Sequence, residues 1–487
     1  MSGHPAASQG TLAAGEGMAG GPTGVRRAAP PAFLAALTEA LGADAVTPGE
    51  AVPERHLADW SGLPPVRPLA LLRPRSTEAV SAALRLCTEH RVPVVPQGGL
   101  TGLAGAAMPV EGAVALSLER MNAIESVDAA TRTLTAQAGV TIQAVQEAAA
   151  EAGLRFGVDF GARGSAQVGG ALATNAGGNG VLQFGMMREQ LLGLEAVLPD
   201  GRVLPMLRPM QKNNTGYDLK QFFVGAEGTL GVITRALFRL HPAPRARATL
   251  LAALPDYDAA LALLGRLQSR FAGGVAAFEL MWRDFVAASM AWQHLREPFD
   301  TEHPLMALVD LDGGSEAALQ AEVEEALAEA MEAGLVVDAV LAQSQAQAGA
   351  LWKIREATAE LPANLHPPVN FDVSLPMAQI GRFVDECRAA LEARWPGHTS
   401  VFFGHIGDSN LHLSIDGASI GGDAEAAEQL VYGMVGRFAG SVSAEHGIGL
   451  HKKPYLGASR TPEELDAMRA IKAALDPLGL MNPGKVF

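Results

Sequence analysis

Val92-Pro93-Val94-Val95-Pro96-Gln97-Gly98-Gly99-Leu100-Thr101-Gly102-Leu103-Ala104-Gly105 decides how the first half of this chain is read. A short apolar strand runs straight into a glycine loop. Glycine permits positive φ and lets a backbone approach a ligand closely, and successive amides in such a loop converge on an anion. Two later segments repeat the pattern. One is Ser165-Ala166-Gln167-Val168-Gly169-Gly170-Ala171-Leu172-Ala173-Thr174-Asn175-Ala176-Gly177-Gly178, the other Gly225-Ala226-Glu227-Gly228-Thr229-Leu230-Gly231. A pyrophosphate is the natural occupant. No loop is a Rossmann fingerprint, because Leu100 stands where GxGxxG needs glycine before Gly102-x-x-Gly105, and no Gly-Lys-Ser/Thr makes a P-loop. One such loop alone would read as a turn; three within one domain point to a ligand.

Around these loops the chain alternates short strands with amphipathic helices. Ser76 is the expected N-cap of a helix carrying Val80, Leu84 and Cys87 on its buried face. Leu134 to Val140 reads as a strand, Thr141 to Ala152 as a helix, and Glu195 to Val203 as a hairpin turning on Asp200-Gly201. The texture changes after Pro242-Ala243-Pro244, where a domain boundary is expected. Strand-like Thr249 to Leu254 leads into an Ala-rich helical region, with acidic helices from about Glu316 to Ala333 and a strand pair near 400–416. At the C-terminus Thr461 caps a helix, Pro462 takes its first position and Glu464 completes a capping box. Met468, Ile471 and Leu475 are its expected buried stripe.

A chain of 487 residues exceeds one ordinary core, and 48% hydrophobic residues suffice for several. The net charge of −15, without a long basic run, argues against nucleic acid or anionic membrane as main partners. Two isolated cysteines, Cys87 and Cys387, form neither a disulfide framework nor a CxxC motif and fit a reducing, cytoplasmic compartment. No apolar stretch approaches a membrane span. The first 30 residues are rich in Gly, Ala, Ser and Pro and read as a flexible tail. They lack a secretory pattern: Arg26-Arg27 is followed by Ala-Ala-Pro-Pro where an apolar core should be.

The second chemical feature is Gly404-His405-Ile406-Gly407-Asp408-Ser409-Asn410-Leu411-His412-Leu413-Ser414-Ile415. Strand-like flanks surround a turn over residues 407–410, so the hairpin is expected to set His405 opposite His412, with Cβ atoms about 5 Å apart. Alternation puts His412 and Ser414 on a polar face and Leu411, Leu413 and Ile415 on the other. Ser443-Ala444-Glu445-His446-Gly447-Ile448-Gly449 adds Glu445 as a third ligand and His446 as a base. Two histidines and a carboxylate suit Zn²⁺ or Mn²⁺ with positions left open for substrate. A lone histidine near a strand usually makes structural hydrogen bonds; four such residues in two glycine-flanked motifs are less easily explained that way.

The runs Pro74–Gly105 and Gly157–Gly185 resemble the FAD-binding domain of the vanillyl-alcohol oxidase/PCMH flavoprotein superfamily. Lys212-Asn213-Asn214-Thr215-Gly216-Tyr217-Asp218-Leu219-Lys220, followed by Gly225 to Thr234, is similar to its D-2-hydroxyglutarate/D-lactate dehydrogenase branch, and the resemblance spans about residues 50–487. It implies an α+β fold: a PCMH-type FAD domain of two α+β parts over 31–244, and a cap domain with an antiparallel sheet and helices over 245–455. A C-terminal helix over 456–487 would return to the FAD domain.

The resemblance assigns FAD to Gly98, Gly99, Thr101, Gly102 and Leu103 of the first loop, and to Ser165, Gly169, Gly170, Thr174, Asn175, Gly177 and Gly178 of the second. It adds Glu227, Gly228, Ile233 and Asn482 along the cofactor. With no histidine in the loop from Gln97 to Gly105, the FAD is expected to be non-covalent. His405, His412 and Glu445 would hold the metal, His446 would be the catalytic base, and Arg355 would grip the substrate α-carboxylate as a fork. On its helix alone, Arg355 reads as part of a solvated face.

Ala359, Asn370 and Ser414 depart from the hydroxyglutarate pattern and remove groups that would hold a distal carboxylate. The implied activity is oxidation of a D-2-hydroxy acid, of D-2-hydroxyglutarate or D-lactate type, by hydride transfer to flavin N5. Electrons would pass on to an electron-transfer flavoprotein, a quinone or a cytochrome, and a homodimer is compatible with this. Two alternatives stay open: a flavoprotein oxidase on another alcohol, and a non-catalytic FAD subunit of a redox complex.

Overall fold

In the computed structural model, which describes residues 31–487, Val94–Gln97 is the edge strand of a four-stranded sheet. The expectation of a tail over residues 1–30 lies outside the described residues. The sheet order is Val46–Pro48, Ala70–Leu72, Val114–Ser117, Val94–Gln97; the last three strands run parallel. Parallel strands need a crossover, and the helix Thr77–His90 connects Ala70–Leu72 to Val94–Gln97, the two strands that flank Val114–Ser117. Ser76 Oγ caps it by accepting from the Ala79 amide at 3.3 Å. Its Val80, Leu84 and Cys87 are buried against Leu72, Val94 and Val114.

A five-stranded antiparallel sheet follows, in the order Ile124–Asp128, Thr133–Gln137, Val232–Arg239, Leu191–Val197, Val203–Met206. The last two strands are the Asp200-Gly201 hairpin. The helix Ile142–Glu151, capped by Thr141, and the short helix Val168–Thr174 bury Ile142, Val145, Val168 and Leu172 on this sheet.

The largest sheet has seven antiparallel strands: Asp338–Leu341, Ala246–Leu254, Leu305–Gly313, Val275–Trp282, Ser400–His405, Asn410–Asp416 and Pro368–Ser374. Alternation sorts its two faces. Phe371, Val373, Phe402, Leu411, Leu413 and Ile415 join a core covered by the helices Tyr257–Arg270, Glu316–Glu332, Ile380–Arg394 and Ala424–Arg437. The opposite face carries Met281, Val401 and Phe403 under the helices Arg283–Gln293 and Gln345–Glu356. That face also presents Glu279, Asn370, Asp372, His405, His412 and Ser414.

The helix Pro462–Leu475 has the capping box read from Thr461 and Glu464. Its stripe differs from expectation: Met468, Ile471 and Leu475 are only half-buried. Ile471 and Leu475 touch the margin of the second core, and the helix otherwise lies on the surface. Beyond it the chain turns back to the first sheet, where Met481 bridges Val94 and the Asn482 amide donates to Val94 O at 2.8 Å.

Candidate functional site

The first two glycine segments interlock through their backbones. A Cβ on Gly99 would overlap the Ser165 carbonyl, and one on Gly98 would stand 3.3 Å from the Gly170 Cα. Among the described residues the half-buried amides of Gly98 through Gly102 find no protein acceptor. Buried or half-buried amides need partners, so this row of free donors is a cradle suited to an anion. Beside it a cleft is lined by Gly98, Gly169, Gly170, Thr174, Glu227, Gly228 and Ile233, with Leu118, Ala138, Phe223 and Val232 as its apolar wall. Gly99 and Ser165 border an adjoining hollow with His56. Free amides beside an apolar wall fit the pyrophosphate and ring systems of FAD.

The remaining expected cofactor residues do not line either hollow. Thr101 and Gly102 continue the first loop, and Leu103 is exposed. Asn175 closes the helix Val168–Thr174 in left-handed conformation and accepts from the Arg188 amide at 2.9 Å. Gly177 and Gly178 face the second domain, where the Gly178 amide donates to Glu445 Oε1 at 3.0 Å. Asn482 is buried and donates to the carbonyls of Ala106 at 2.9 Å and Glu227 at 2.6 Å.

The register of the histidine hairpin corrects the sequence reading. Phe403, rather than His405, stands opposite His412. The turn Ile406–Asp408, with Ser409 at φ 75°, takes up the residues that would have paired, and His405 aligns with Glu279 instead. The imidazoles remain diagonal neighbours on one face, with ring centroids 5.5 Å apart. Glu445 completes the group: ligand atoms of His405, His412 and Glu445 all lie within 4.8 Å of one another. Donors on one tetrahedral ion at ordinary Zn–N and Zn–O lengths sit about 3.4 Å apart, so a small closure would let all three bind. The donor set fits a borderline divalent cation.

Two buried carboxylates with no role assigned from sequence organise this face. Glu279 accepts from His405 Nδ1 at 2.6 Å and from Arg355 Nε at 2.8 Å. Burial alone would lower the His405 pKa, but the Glu279 carboxylate overrides it and raises it to about 9. The same ring presents Nε2 to the site, which is how a second carboxylate orients a ligating histidine. Burial drives His412 well below the ordinary imidazole range. Arg355, read on its own helix as solvated, is 7% exposed, because Glu279 neutralises it and the Phe403 ring lies under its guanidinium.

Asp372 is the second. Its Oδ2 accepts from the amides of Glu445 at 3.0 Å and His446 at 2.9 Å and from Lys452 Nζ at 3.2 Å, and His446 Nδ1 lies 3.6 Å away. Burial raises its pKa, yet His446 and Lys452 outweigh that and hold it well below the usual carboxylate range. Asp372, Glu445 and His446 also lie within 4.8 Å of one another. Donors crowd Asp372 Oδ2, which anchors the Glu445–His446 backbone, while its Oδ1 is buried without a hydrogen-bond partner. One sequence signal could have found Glu279: a lone carboxylate in the otherwise apolar strand Val275–Trp282 must have partners when buried.

Among known families, the profile described as "FAD binding domain" matches residues 68–206, and "FAD linked oxidases, C-terminal domain" matches residues 243–486. The D-2-hydroxyglutarate dehydrogenase of Xanthomonas citri pv. viticola is 40% identical over 440 residues, 89% of this chain and 92% of that protein. That of Stutzerimonas stutzeri is 38% identical over 438 residues, 88% of this chain and 93% of its own. The structure of p-cresol methylhydroxylase with substrate bound superposes with TM-score 0.74 over 93% of this chain and 96% of that one. At 18% identity that likeness concerns the fold alone.

Proposed function

This chain belongs to the D-2-hydroxyglutarate/D-lactate dehydrogenase family of FAD-linked oxidoreductases, and from that premise we propose that it oxidises a D-2-hydroxy acid to the 2-oxo acid, using His446, Arg355 and a divalent metal on His405, His412 and Glu445. One observation carries the reading. The metal-type cluster, the buried arginine and His446 gather over one face of the large sheet, and Glu445 from that cluster touches the second glycine segment.

Bound FAD, held by the glycine cradle and cleft, supplies the hydride acceptor. A divalent cation on the three ligands supplies Lewis acidity that lowers the pKa of the substrate hydroxyl. The protein groups do the rest. Arg355 spends Nε on Glu279 and keeps Nη2 at 3.4 Å from His405 Nε2, so a substrate carboxylate there meets charge-assisted donors beside the cluster. Asp372 faces Nδ1 of His446, leaving Nε2 to take the hydroxyl proton as general base. The Ser414 hydroxyl donates to Asn370 Oδ1 at 2.8 Å, a neutral pair beside His412. That pair favours a substrate with an uncharged C2 substituent, of D-lactate type, over one with a second carboxylate.

The electron acceptor in this reading is an electron-transfer flavoprotein, a quinone or a cytochrome. Among the described residues no helix is long and apolar enough to cross a membrane. Cys87 and Cys387, buried and unpaired, fit a cytoplasmic location.

The test is an anaerobic absorbance spectrum before and after D-lactate, D-2-hydroxyglutarate and their L-enantiomers. Bleaching of the flavin by a D-acid is expected, lost after EDTA and restored by Zn²⁺ or Mn²⁺. Faster bleaching by D-lactate would support the neutral pocket. A flavin peak that no hydroxy acid bleaches would sink the proposal.

A further inference from the structure

The segment Ser443–Gly449 carries both Glu445 and His446, yet it belongs to no helix or strand. Its backbone is held at two points by carboxylates from different halves of the molecule. At one end Asp372 of the large sheet accepts from the amides of Glu445 and His446. At the other, Glu227 of the third glycine segment accepts from the Ile448 amide through Oε1 and from the Gly449 amide through Oε2, both at 2.7 Å. Bidentate hydrogen bonds from two consecutive amides to a carboxylate fix direction as well as position.

The Glu227 side is built for close contact. Glu227 is buried, and its own backbone is left-handed at φ 50°, a conformation uncommon outside glycine. It is held there by its amide donating to Ala173 O at 2.8 Å and by Asn482 donating to its carbonyl at 2.6 Å. The facing backbone leaves no room for side chains. A Cβ on Gly447 would stand 2.9 Å from Glu227 Oε1, and one on Gly449 would overlap the Ala104 carbonyl. The amides of Leu450 and His451 then both donate to Ala104 O. The loop that carries the proposed base is thereby seated on the first and third glycine segments.

We propose that Glu227 is a positioning residue of the reaction: from the flavin side it holds the Glu445–His446 loop at fixed height over the cofactor cleft, through the amides of Ile448 and Gly449. This rests on the reading of His446 as the base. Glu227 lines the cleft on one side and grips the cap loop on the other, so it is the shared reference point for cofactor and base. Glu227→Gln keeps the shape but has a single acceptor oxygen and sets an NH2 against the second amide.

The test is anaerobic stopped-flow reduction of the FAD-loaded enzyme by whichever D-2-hydroxy acid bleaches it, for the parent, Glu227→Gln, His446→Ala and the double variant. The expected result has three parts. Glu227→Gln keeps its FAD and half-saturates with substrate within about threefold of the parent. Its limiting reduction rate falls roughly 10- to 100-fold, as for a misplaced catalytic group. In the His446→Ala background the same substitution costs much less, because coupled residues are not additive. Loss of FAD, an unchanged rate, or an equal loss in both backgrounds would overturn the proposal and make Glu227 a cofactor or structural residue. A His446→Ala enzyme as fast as the parent would overturn the reading of the base and this proposal with it. If Glu227→Gln does not fold, Glu227→Asp, which keeps the charge but shortens the reach, is read by the same comparison.

Discussion

The glycine cradle of the first half and the polar centre of the second half offer different atoms to a ligand. In the cradle the working groups are main-chain amides, and the glycines matter because a Cβ would strike the neighbouring segment. In the polar centre the working groups are side chains gathered from two strands, a helix and a loop, and buried carboxylates hold them: Glu279 for His405 and Arg355, Asp372 for the His446 loop. The cradle should therefore fail when atoms are added and the centre when functional groups are removed. The two failures should separate, because the proposed function gives cofactor binding to one and the proton and substrate steps to the other.

The sharpest way to break that separation is His446→Ala. A lost general base costs about 10²- to 10⁴-fold, so flavin reduction by the D-acid should fall by that factor while the flavin absorbance per protein stays at the parent level. Flavin lost together with activity would mean that the two regions are one unit. Next is Glu279→Gln. Residues that orient a metal-bound histidine typically change metal affinity by about 10- to 100-fold. Competition with a chromophoric chelator should show that loss with FAD retained; unchanged metal affinity would remove Glu279 from the centre.

Gly99→Ala probes the other side. Overpacking a close contact costs about 1–3 kcal/mol, so the melting temperature should drop and FAD should be lost on gel filtration. In contrast, a Cβ on Gly265, within the helix Tyr257–Arg270, would meet nothing within 4 Å, and Gly265→Ala should stabilise by about 0.5–1 kcal/mol.

A pH-dependent effect concerns Lys485, at the junction of the two regions. Burial pushes its pKa down from 10.5 to about 8, and its Nζ donates to Met108 O at 2.7 Å. Between those two values the unfolded chain binds the proton that the folded chain has lost, so stability rises with pH across that window. The penalty for the buried charge is therefore fully present below pH 8. Lys485→Met should gain most relative to the parent below pH 8, and the gain should shrink towards pH 10.5 in urea titrations. A difference independent of pH would show that the ammonium is not the cause.

Much of the cradle is legible in the sequence, because glycine loops and helix caps leave local marks. Ser76, Thr141 and Thr461 cap the helices that their positions predict, and Glu464 completes its box. The centre is legible as an inventory: His405, His412, Glu445 and His446 do come together. Its geometry is not. The hairpin pattern sets His405 opposite His412, but its partner across the ladder is Glu279, 126 residues away in sequence. Arg355 has the pattern of a solvated residue because its neutralising partner lies on another element. The C-terminal stripe has the pattern of a buried one because periodicity marks a face without saying how much covers it.

By itself, then, the amino-acid sequence determined which chemistry was available: three glycine segments, a histidine–carboxylate set, and the caps that begin the helices. Those are properties of neighbours along the chain, set by backbone freedom and by side-chain period. The tertiary structure alone decided which groups meet. Alternation along a strand assigns a face but not a register, and the turn at Ile406–Asp408 shifted His405 onto Glu279. The grip of Glu227 on Ile448 and Gly449 spans 221 and 222 residues, a separation that no local pattern encodes.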